Sequence, residues 1–328
     1  MALADLLRFV FVAAIVTLYT TGLLSPALIV VFTLATSTVE AFRLPAGGAI
    51  LPQLLEKEYY TLGKAASYSF SRISELAGYM LAGGVIALLG ALWIDAATFL
   101  ISSAIIWSIR YQENLQGAKQ TVKGVIQDFA EGFRFIRASR TIRTVSLMGL
   151  LINFGIMPLT VFQTPYVSDY LKMGPETLSY IKILMSVGMM TGAALLPKLG
   201  KIKTPVIAVA AGVIMGAALI EMSIAQSLSS PVLKMGILTL SMLSIGFGGG
   251  LLNVIIGSSV MKAVPKEMMG RISGFLTAMM QASMPVASFI CSALAVYFHI
   301  PHILVFFGSM TLICSLALYF RKKLDALS

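Results

Sequence analysis

Long apolar runs separated by short polar loops dominate the chain from its first residues to residue 320. A helix needs about twenty apolar residues to cross a bilayer core of about 30 Å. Ten runs reach this length, and each is predicted to be a transmembrane helix. They cover residues 6–24, 27–44, 65–89, 91–109, 144–167, 177–197, 205–223, 235–261, 272–297 and 302–320. The pattern therefore predicts an all-α, polytopic membrane helix bundle.

One polar stretch, residues 110–143, separates the first four spans from the last six. We expect an incomplete N-terminal bundle over 1–110, a cytoplasmic basic connector over 111–143 and a six-helix C-terminal bundle over 144–328. Apolar residues recur at helical spacing within the connector, which predicts an amphipathic helix on the membrane surface. They are Val122, Val125, Ile126, Phe129, Phe133 and Ile136. A plain tether between the two bundles is the alternative.

Composition and charge support a membrane protein and give it an orientation. The chain is 58% hydrophobic and 12% charged, whereas soluble domains are about 45–50% apolar and about 25% charged. The net charge of +10 would suggest nucleic-acid binding in a soluble protein, but here it follows the loops. Loops after even-numbered spans and the C-terminal tail hold 18 lysines and arginines, and the other loops hold 2. The positive-inside rule places both termini in the cytoplasm, and we expect the inner membrane of a bacterium.

A weak internal repeat links the two predicted bundles. Residues 52–70 read PQLLEKEYYTLGKAASYSF, and residues 261–276 read MKAVPKEMMGRISGFL. Lys57-Glu58 aligns with Lys266-Glu267, and Gly63-Lys64 aligns with Gly270-Arg271 after a gap of two residues. Repeated halves are typical of transporter folds, so Gly270 and Arg271 are candidates for a gate or loop motif.

Four stretches resemble the major facilitator superfamily, and within it the exporter branch of macrolide-efflux and enterobactin-exporter proteins. They are FRLPAGGAILPQLLEKE at 42–58, WIDAATFLISS at 93–103, DFAEGFRFIRASRTIR at 128–143 and VPKEMMGRISG at 264–274. The similarity runs nearly end to end, with the segments in the family's order. It implies a major-facilitator-like bundle and a transport activity, without identifying a substrate.

The resemblance also implies a departure from the family pattern. Members of the family have twelve helices, six in each half, and residue 1 of this chain aligns with the start of the third. The chain is therefore expected to lack the first two helices and the Gly-, Asp- and Arg-rich loop that follows them. Such a loss would leave one side of a central substrate path open to lipid or to another subunit.

Ionisable residues within the apolar spans are the first candidates for function, because charge in a membrane is costly. Glu40 and Arg43 lie three residues apart at the end of the second span, and Arg72 and Glu75 have the same spacing in the third. We expect Glu75 close to the bilayer midplane and Glu40 and Arg43 nearer the cytoplasmic end. A titrating carboxylate beside a guanidinium could couple protons to conformational change. Structural ion pairs that lock helices together are the alternative.

Neutral polar residues within the spans could line a substrate cavity. The candidates are Asn153, Gln163, Asn253 and Gln281. Asparagine and glutamine also hold membrane helices together, and this structural role is the alternative for each of them. Gly246, Gly248, Gly249 and Gly250 in the eighth span are expected to allow close helix approach or a bend.

The sequence contains no motif for an enzyme. It has no phosphate-binding loop and no nucleophile–base constellation, and His299 and His302 do not suffice for a metal site. We therefore expect no catalytic residues, metal or cofactor. The leading hypothesis is a secondary transporter that exports a small amphipathic or hydrophobic molecule by alternating access, with protons as the candidate coupling ion. The alternative is a truncated, transport-incompetent fragment, or a membrane scaffold that pairs with another chain.

Overall fold

Ten long α-helices make up most of the part of the chain that the structure describes. The computed structural model describes residues 1–83, 88–108, 131–174, 176–199 and 202–320, and its regular structure there is helical. We number the long helices α1 (Ala2–Thr20), α2 (Pro26–Leu54), α3 (Tyr60–Gly83), α4 (Leu88–Ser108), α5 (Arg140–Pro165), α6 (Glu176–Leu195), α7 (Thr204–Ala225), α8 (Pro231–Ala263), α9 (Met269–Ala295) and α10 (Ile300–Phe320). We call α1–α4 the first half of the molecule and α5–α10 the second half.

The helices match the ten predicted spans in number and order. Seven of them, counted over the described residues, are long and apolar enough to cross a membrane. The shorter apolar stretches Pro26–Glu40 and Trp93–Ser108 lie in α2 and α4, and α3 carries too many polar residues to qualify. One boundary prediction is wrong, because α2 continues to Leu54, ten residues beyond its predicted end.

Local sequence signals set several helix starts. The Ser25 hydroxyl accepts a hydrogen bond from Leu28 N at 3.3 Å, and Pro26 occupies the first position of α2. At the start of α5, the Ser139 hydroxyl accepts from Ile142 N at 3.3 Å. Serine at the cap satisfies an amide that the helix leaves free, and proline at the first position loses no hydrogen bond.

Glycines hold α6 and α8 in backbone contact. Gly188 and Gly192 on α6 face the backbone of α8, while Gly246 and Gly250 on α8 face the backbone of α6. A Cβ atom added at Gly250 would lie 2.8 Å from the carbonyl carbon of Met189 and 3.0 Å from Ala193 N. Two small-xxx-small motifs therefore interlock, which confirms the close approach expected from the glycines of the eighth span.

A similar contact joins α7 to α10 in the same half. Cβ atoms built at Gly216 and Gly308 would each lie within 2.7 Å of the other glycine's carbonyl oxygen. The large apolar core follows this arrangement, since its buried residues come almost entirely from α5–α10. Ala65 of α3 is the member that the first half contributes.

The end of the connector packs on the second half. Residues 131–138 are helical, and Ile136 is buried in a cluster with Val260, Val264 and Ile272. Glu131 lies 3.0 Å from Arg271 in an ion pair. Most of the predicted amphipathic helix, including Val122 and Phe129, lies outside the described residues. We call the end of the bundle where α8 stops, α9 begins and this segment packs the connector end.

The two halves meet mainly through α3 and α2. Helix α3 packs against α6 and α8, a contact that we call the seam, and α2 packs against α9. Within the first half, α1 packs against α4 and α2. The helices alternate in direction, so α3 begins at the connector end, close to the point where α8 finishes.

The internal repeat predicted from sequence has a matching shape. Lys57–Tyr59 and Lys266–Met268 are both single 3₁₀ turns, and α3 and α9 begin on the next residue with the same backbone angles, φ −57° and ψ −43°. Tyr60 and Met269, the first helical residues, are both buried. The two turns have the same length, and the helices after them begin at Tyr60 and Met269. Gly63-Lys64 therefore lies two residues further along its helix than Gly270-Arg271.

These glycine contacts predict a difference between neighbouring positions on α8. Gly250→Ala would force the backbones of α6 and α8 apart and should lower stability by about 1–3 kcal/mol, the usual cost of overpacking. Gly249→Ala should change stability little, because its Cβ would meet only Met189 Cε at 3.7 Å. Thermal unfolding in detergent can be followed with a thiol-reactive dye, since Cys291 is buried. Equal melting temperatures for the two variants would contradict the packing described here.

Candidate functional site

Four polar residues form a stripe along α3. Lys64, Tyr68, Arg72 and Glu75 are spaced by three or four residues and so share one helical face. Arg72 forms an ion pair with Glu75, and its guanidinium carbon lies 5.2 Å from the centre of the Tyr68 ring. At 1.5 Å per residue, Arg72 and Glu75 lie about 18 and 22 Å along a helix of about 36 Å, in its middle part.

This stripe lies at the seam between the two halves. The Tyr68 hydroxyl donates to Met189 Sδ of α6 at 3.5 Å. The side chain of Lys64 lies against Gly257 of α8, with Cδ and Cγ each 2.9 Å from the position of a built Cβ. The side chains of Arg72 and Glu75 are 25% and 33% exposed, so both remain accessible beside the seam.

Glu40 and Arg43 pair with residues of α1 instead of with each other. Arg8 Nη2 lies 2.9 Å from Glu40 Oε2, and Arg43 Nε lies 2.5 Å from Asp5 Oδ1. The same spacing of three residues on two antiparallel helices brings each acid opposite a base. The Asp5 side chain is fully buried, and its Oδ2 also accepts a hydrogen bond from Ser102 of α4 at 2.7 Å.

These two ion pairs, which we call the ion-pair network, join α1 to α2, and Ser102 connects them to α4. The Arg8 guanidinium carbon also lies 4.2 Å from the centre of the Phe99 ring of α4. Sequence reasoning placed Glu40 and Arg43 near the cytoplasmic end of a span, but it did not predict that their helix continues well beyond them. Because α2 continues to Leu54, Arg43 lies in the middle of the helix, eleven residues before its end.

Sequence analysis did not select Asp5 and Arg8 as candidates. Asp5 lies close to the first residue of the chain, where a polar residue reads as part of a helix end, and Arg8 looks like an isolated charge. The available signal was their spacing. Asp5 and Arg8 repeat the separation of Glu40 and Arg43 with the acidic residue first, which suits antiparallel pairing of two helices.

The neutral polar candidates do not converge on one place. Asn153 donates from Nδ2 to Met280 O at 3.1 Å and to Ser283 Oγ at 3.4 Å, and so links α5 to α9. Asn253 donates to Gly249 O of its own helix at 2.9 Å. Gln163 lines a small apolar cavity within the second half, and Gln281 is exposed on α9.

The gate or loop candidates, Gly270 and Arg271, lie in the first turn of α9 at the connector end. Arg271 pairs with Glu131 and so ties the connector segment to α9. At the opposite end, the Tyr170 hydroxyl lies 3.5 Å from His299 Nδ1. The described residues contain no group of three or more histidine, cysteine, aspartate or glutamate side chains that could hold a metal ion.

Comparison with solved structures finds the same fold elsewhere. Two structures are of a bacterial homologue of the iron transporter ferroportin in its outward-facing state, the second with soaked iron. The first has a TM-score of 0.69 at 16% identity and covers 97% of this chain and 81% of that one. The second has a TM-score of 0.65 at 17% identity and covers 98% and 79%. At these identities the likeness concerns the fold.

Sequence comparison finds a relative and a family. The uncharacterized MFS-type transporter YvqJ of Bacillus subtilis (strain 168) is 23% identical over 179 residues. That alignment spans 52% of this chain and 42% of the relative, less than half of its length. The family model of the Major Facilitator Superfamily matches residues 2–288. This match covers most of the chain, and the chain therefore belongs to the Major Facilitator Superfamily.

Proposed function

We propose that this protein is a secondary transporter that exports a small amphipathic or hydrophobic molecule across the cell membrane by alternating access. The observation that carries the proposal is the polar stripe of α3 at the seam. Charged side chains in the middle of a membrane helix are costly and are retained where they serve transport or coupling. A seam between two helical halves is also the place where rocking changes exposure to either side.

The conformation described here corresponds in this proposal to closure at the connector end. Lys64 and Tyr68 of the first half contact Gly257 and Met189 of the second half there. The charge bias of the loops predicts that this end faces the cytoplasm. Closure on that side would be the outward-facing state, the state in which the two similar structures were solved.

Arg72 and Glu75 are the residues that we assign to coupling or substrate contact. They lie in the middle of α3, they pair with each other, and both are partly exposed. Rocking of the halves would keep this pair together in one state and separate it in another, so Glu75 would have its cationic partner in only one of the two states. This sequence of events would make protons the coupling ion.

We assign a structural role to the network of Asp5, Arg8, Glu40 and Arg43. Its members hold three helices of the same half together, so rocking of the halves does not separate them. Asp5 is fully buried. Removal of one partner of a buried ion pair strongly destabilises the folded protein.

Transport itself can be tested with cells that express the chain. Ethidium and erythromycin are suitable probes of an exporter of amphipathic molecules. We expect faster ethidium efflux from preloaded cells, and a higher erythromycin tolerance, than in cells with an empty vector. Collapse of the proton gradient should abolish the difference. Efflux and tolerance equal to the vector cells, at confirmed membrane expression, would contradict export of this substrate class.

Substitution of Glu75 separates coupling from binding. Glu75→Gln removes the carboxylate while retaining the size of the side chain, so gradient-driven ethidium transport in everted vesicles should fall to the vector level. Exchange of ethidium without a gradient should persist. Glu221→Gln is the matched control, because Glu221 lies at the opposite end of the bundle and accepts from Ser241 at 3.2 Å. Unchanged gradient dependence in Glu75→Gln would exclude Glu75 as the coupling residue.

The ion-pair network predicts the opposite behaviour for Asp5. Asp5→Asn leaves Arg43 without its buried partner and should cost about 3 kcal/mol of stability, near the low end for buried pairs because Arg43 is 28% exposed. Thermal unfolding in detergent measures the loss, and Glu75→Gln should unfold close to the wild type in the same assay. If the Asp5→Asn protein is stable but has lost coupling, Asp5 would be a coupling residue and its structural role would be contradicted.

A further inference from the structure

We infer that Lys64 and Gly257 form a latch that positions the two halves in the state closed at the connector end. The inference rests on the proposed alternating access and adds the residues that set its balance. Lys64 is the fifth residue of α3, and Gly257 is the seventh from the end of α8. The pair therefore bridges the halves at the end where the seam would have to open toward the cytoplasm.

The contact depends on the absence of a side chain at position 257. A Cβ atom built on Gly257 would overlap Lys64 Cε and would lie 2.9 Å from both Cδ and Cγ. Atoms this close must move. Rotation of the ammonium end alone cannot clear the overlap, because Cγ is fixed by the first torsion of the side chain. The methylene stem of Lys64 thus lies directly on the α8 backbone.

Other glycines of α8 have different neighbours. Gly246 and Gly250 face α6, and Gly248 faces α7, so all three serve packing within the second half. Gly257 is the described glycine of α8 whose built Cβ meets a residue of the first half. A substitution there would act on the contact between the halves while the interior of the second half stays intact.

The latch combines one interaction that favours the closed state with one that opposes it. Lys64 has no ion-pair partner among the described residues, so its ammonium loses water in the closed state without gaining a carboxylate. Stem packing favours closure, and hydration of the charge favours separation. A contact of this kind can hold a state without fixing it permanently, as exchange between two states requires.

The test measures the distance between the halves at the connector end. Spin labels on Leu62→Cys of α3 and Lys262→Cys of α8 report it by double electron–electron resonance, in a background with Cys291→Ala and Cys314→Ala. Both labelled positions are exposed. The chain is reconstituted in nanodiscs and needs no substrate. Gly257→Ala and Gly257→Val should raise the ratio of the long-distance to the short-distance population, by about tenfold for valine, a modest overpacking effect.

Two controls separate a latch from general damage. Gly236→Val lies on the same helix, where a built Cβ has no neighbour within 4 Å, and should leave the distances unchanged. Lys64→Ala removes the atoms that a residue at 257 would meet, so Gly257→Ala should have little further effect in that background. This non-additivity is the signature of a direct contact, and it remains measurable if the valine variant folds poorly.

The possible results either support the latch or overturn it. A shift in the Gly257 variants that disappears in the Lys64→Ala background supports it. Unchanged distances in both Gly257 variants overturn it, as does a shift of the same size with and without Lys64. Ethidium efflux is a separate readout. A distance shift without any efflux would support the latch and contradict the proposed export. Efflux without a distance shift would support the proposed export and overturn the latch.

Discussion

Backbone contact between α6 and α8, which only glycine permits, is the interaction on which the second half depends. Lipid tails are as apolar as leucine, so membrane helices gain little from the hydrophobic effect when they associate. Close approach of the two backbones supplies the attraction instead, because helices without intervening side chains make many short van der Waals contacts. Gly188, Gly192, Gly246 and Gly250 provide this approach on both surfaces at once. The buried core of α5–α10 is assembled around it.

The first half is held by a different kind of force. Among the described residues, its helices contribute little to the buried apolar core, and the buried residue of α1 closest to its start is Asp5. Among the described contacts, reciprocal ion pairs to α2 and a hydroxyl from α4 join these helices. In a low-dielectric setting such pairs are strong when complete and costly when one member is lost. The two halves therefore respond to different substitutions.

Much of this architecture follows from the sequence, since apolar length and loop charge define ten helices and their alternation. The connections between helices do not follow as readily. The predicted end of α2 is too early because the proline- and glycine-containing residues after Arg43 resemble a loop, although the helix continues to Leu54. Glu40 and Arg43 are candidates from the sequence, but their partners Asp5 and Arg8 lie more than thirty residues away along the chain. Pairing at that distance depends on which helices become neighbours, and periodicity carries no such information.

The contrast between the halves and the seam bears on which part of the molecule can move. Within each half the contacts are directional and mutually dependent, so a small displacement would break several of them together. Across the seam the described contacts include Ala65 packed against the apolar core, a lysine stem on a glycine and a tyrosine hydroxyl on a methionine sulfur. Thioether acceptors and methylene packing are weak and tolerate sliding. A boundary of this composition can separate and re-form at low cost, while glycine packing and buried ion pairs keep each half intact during the movement.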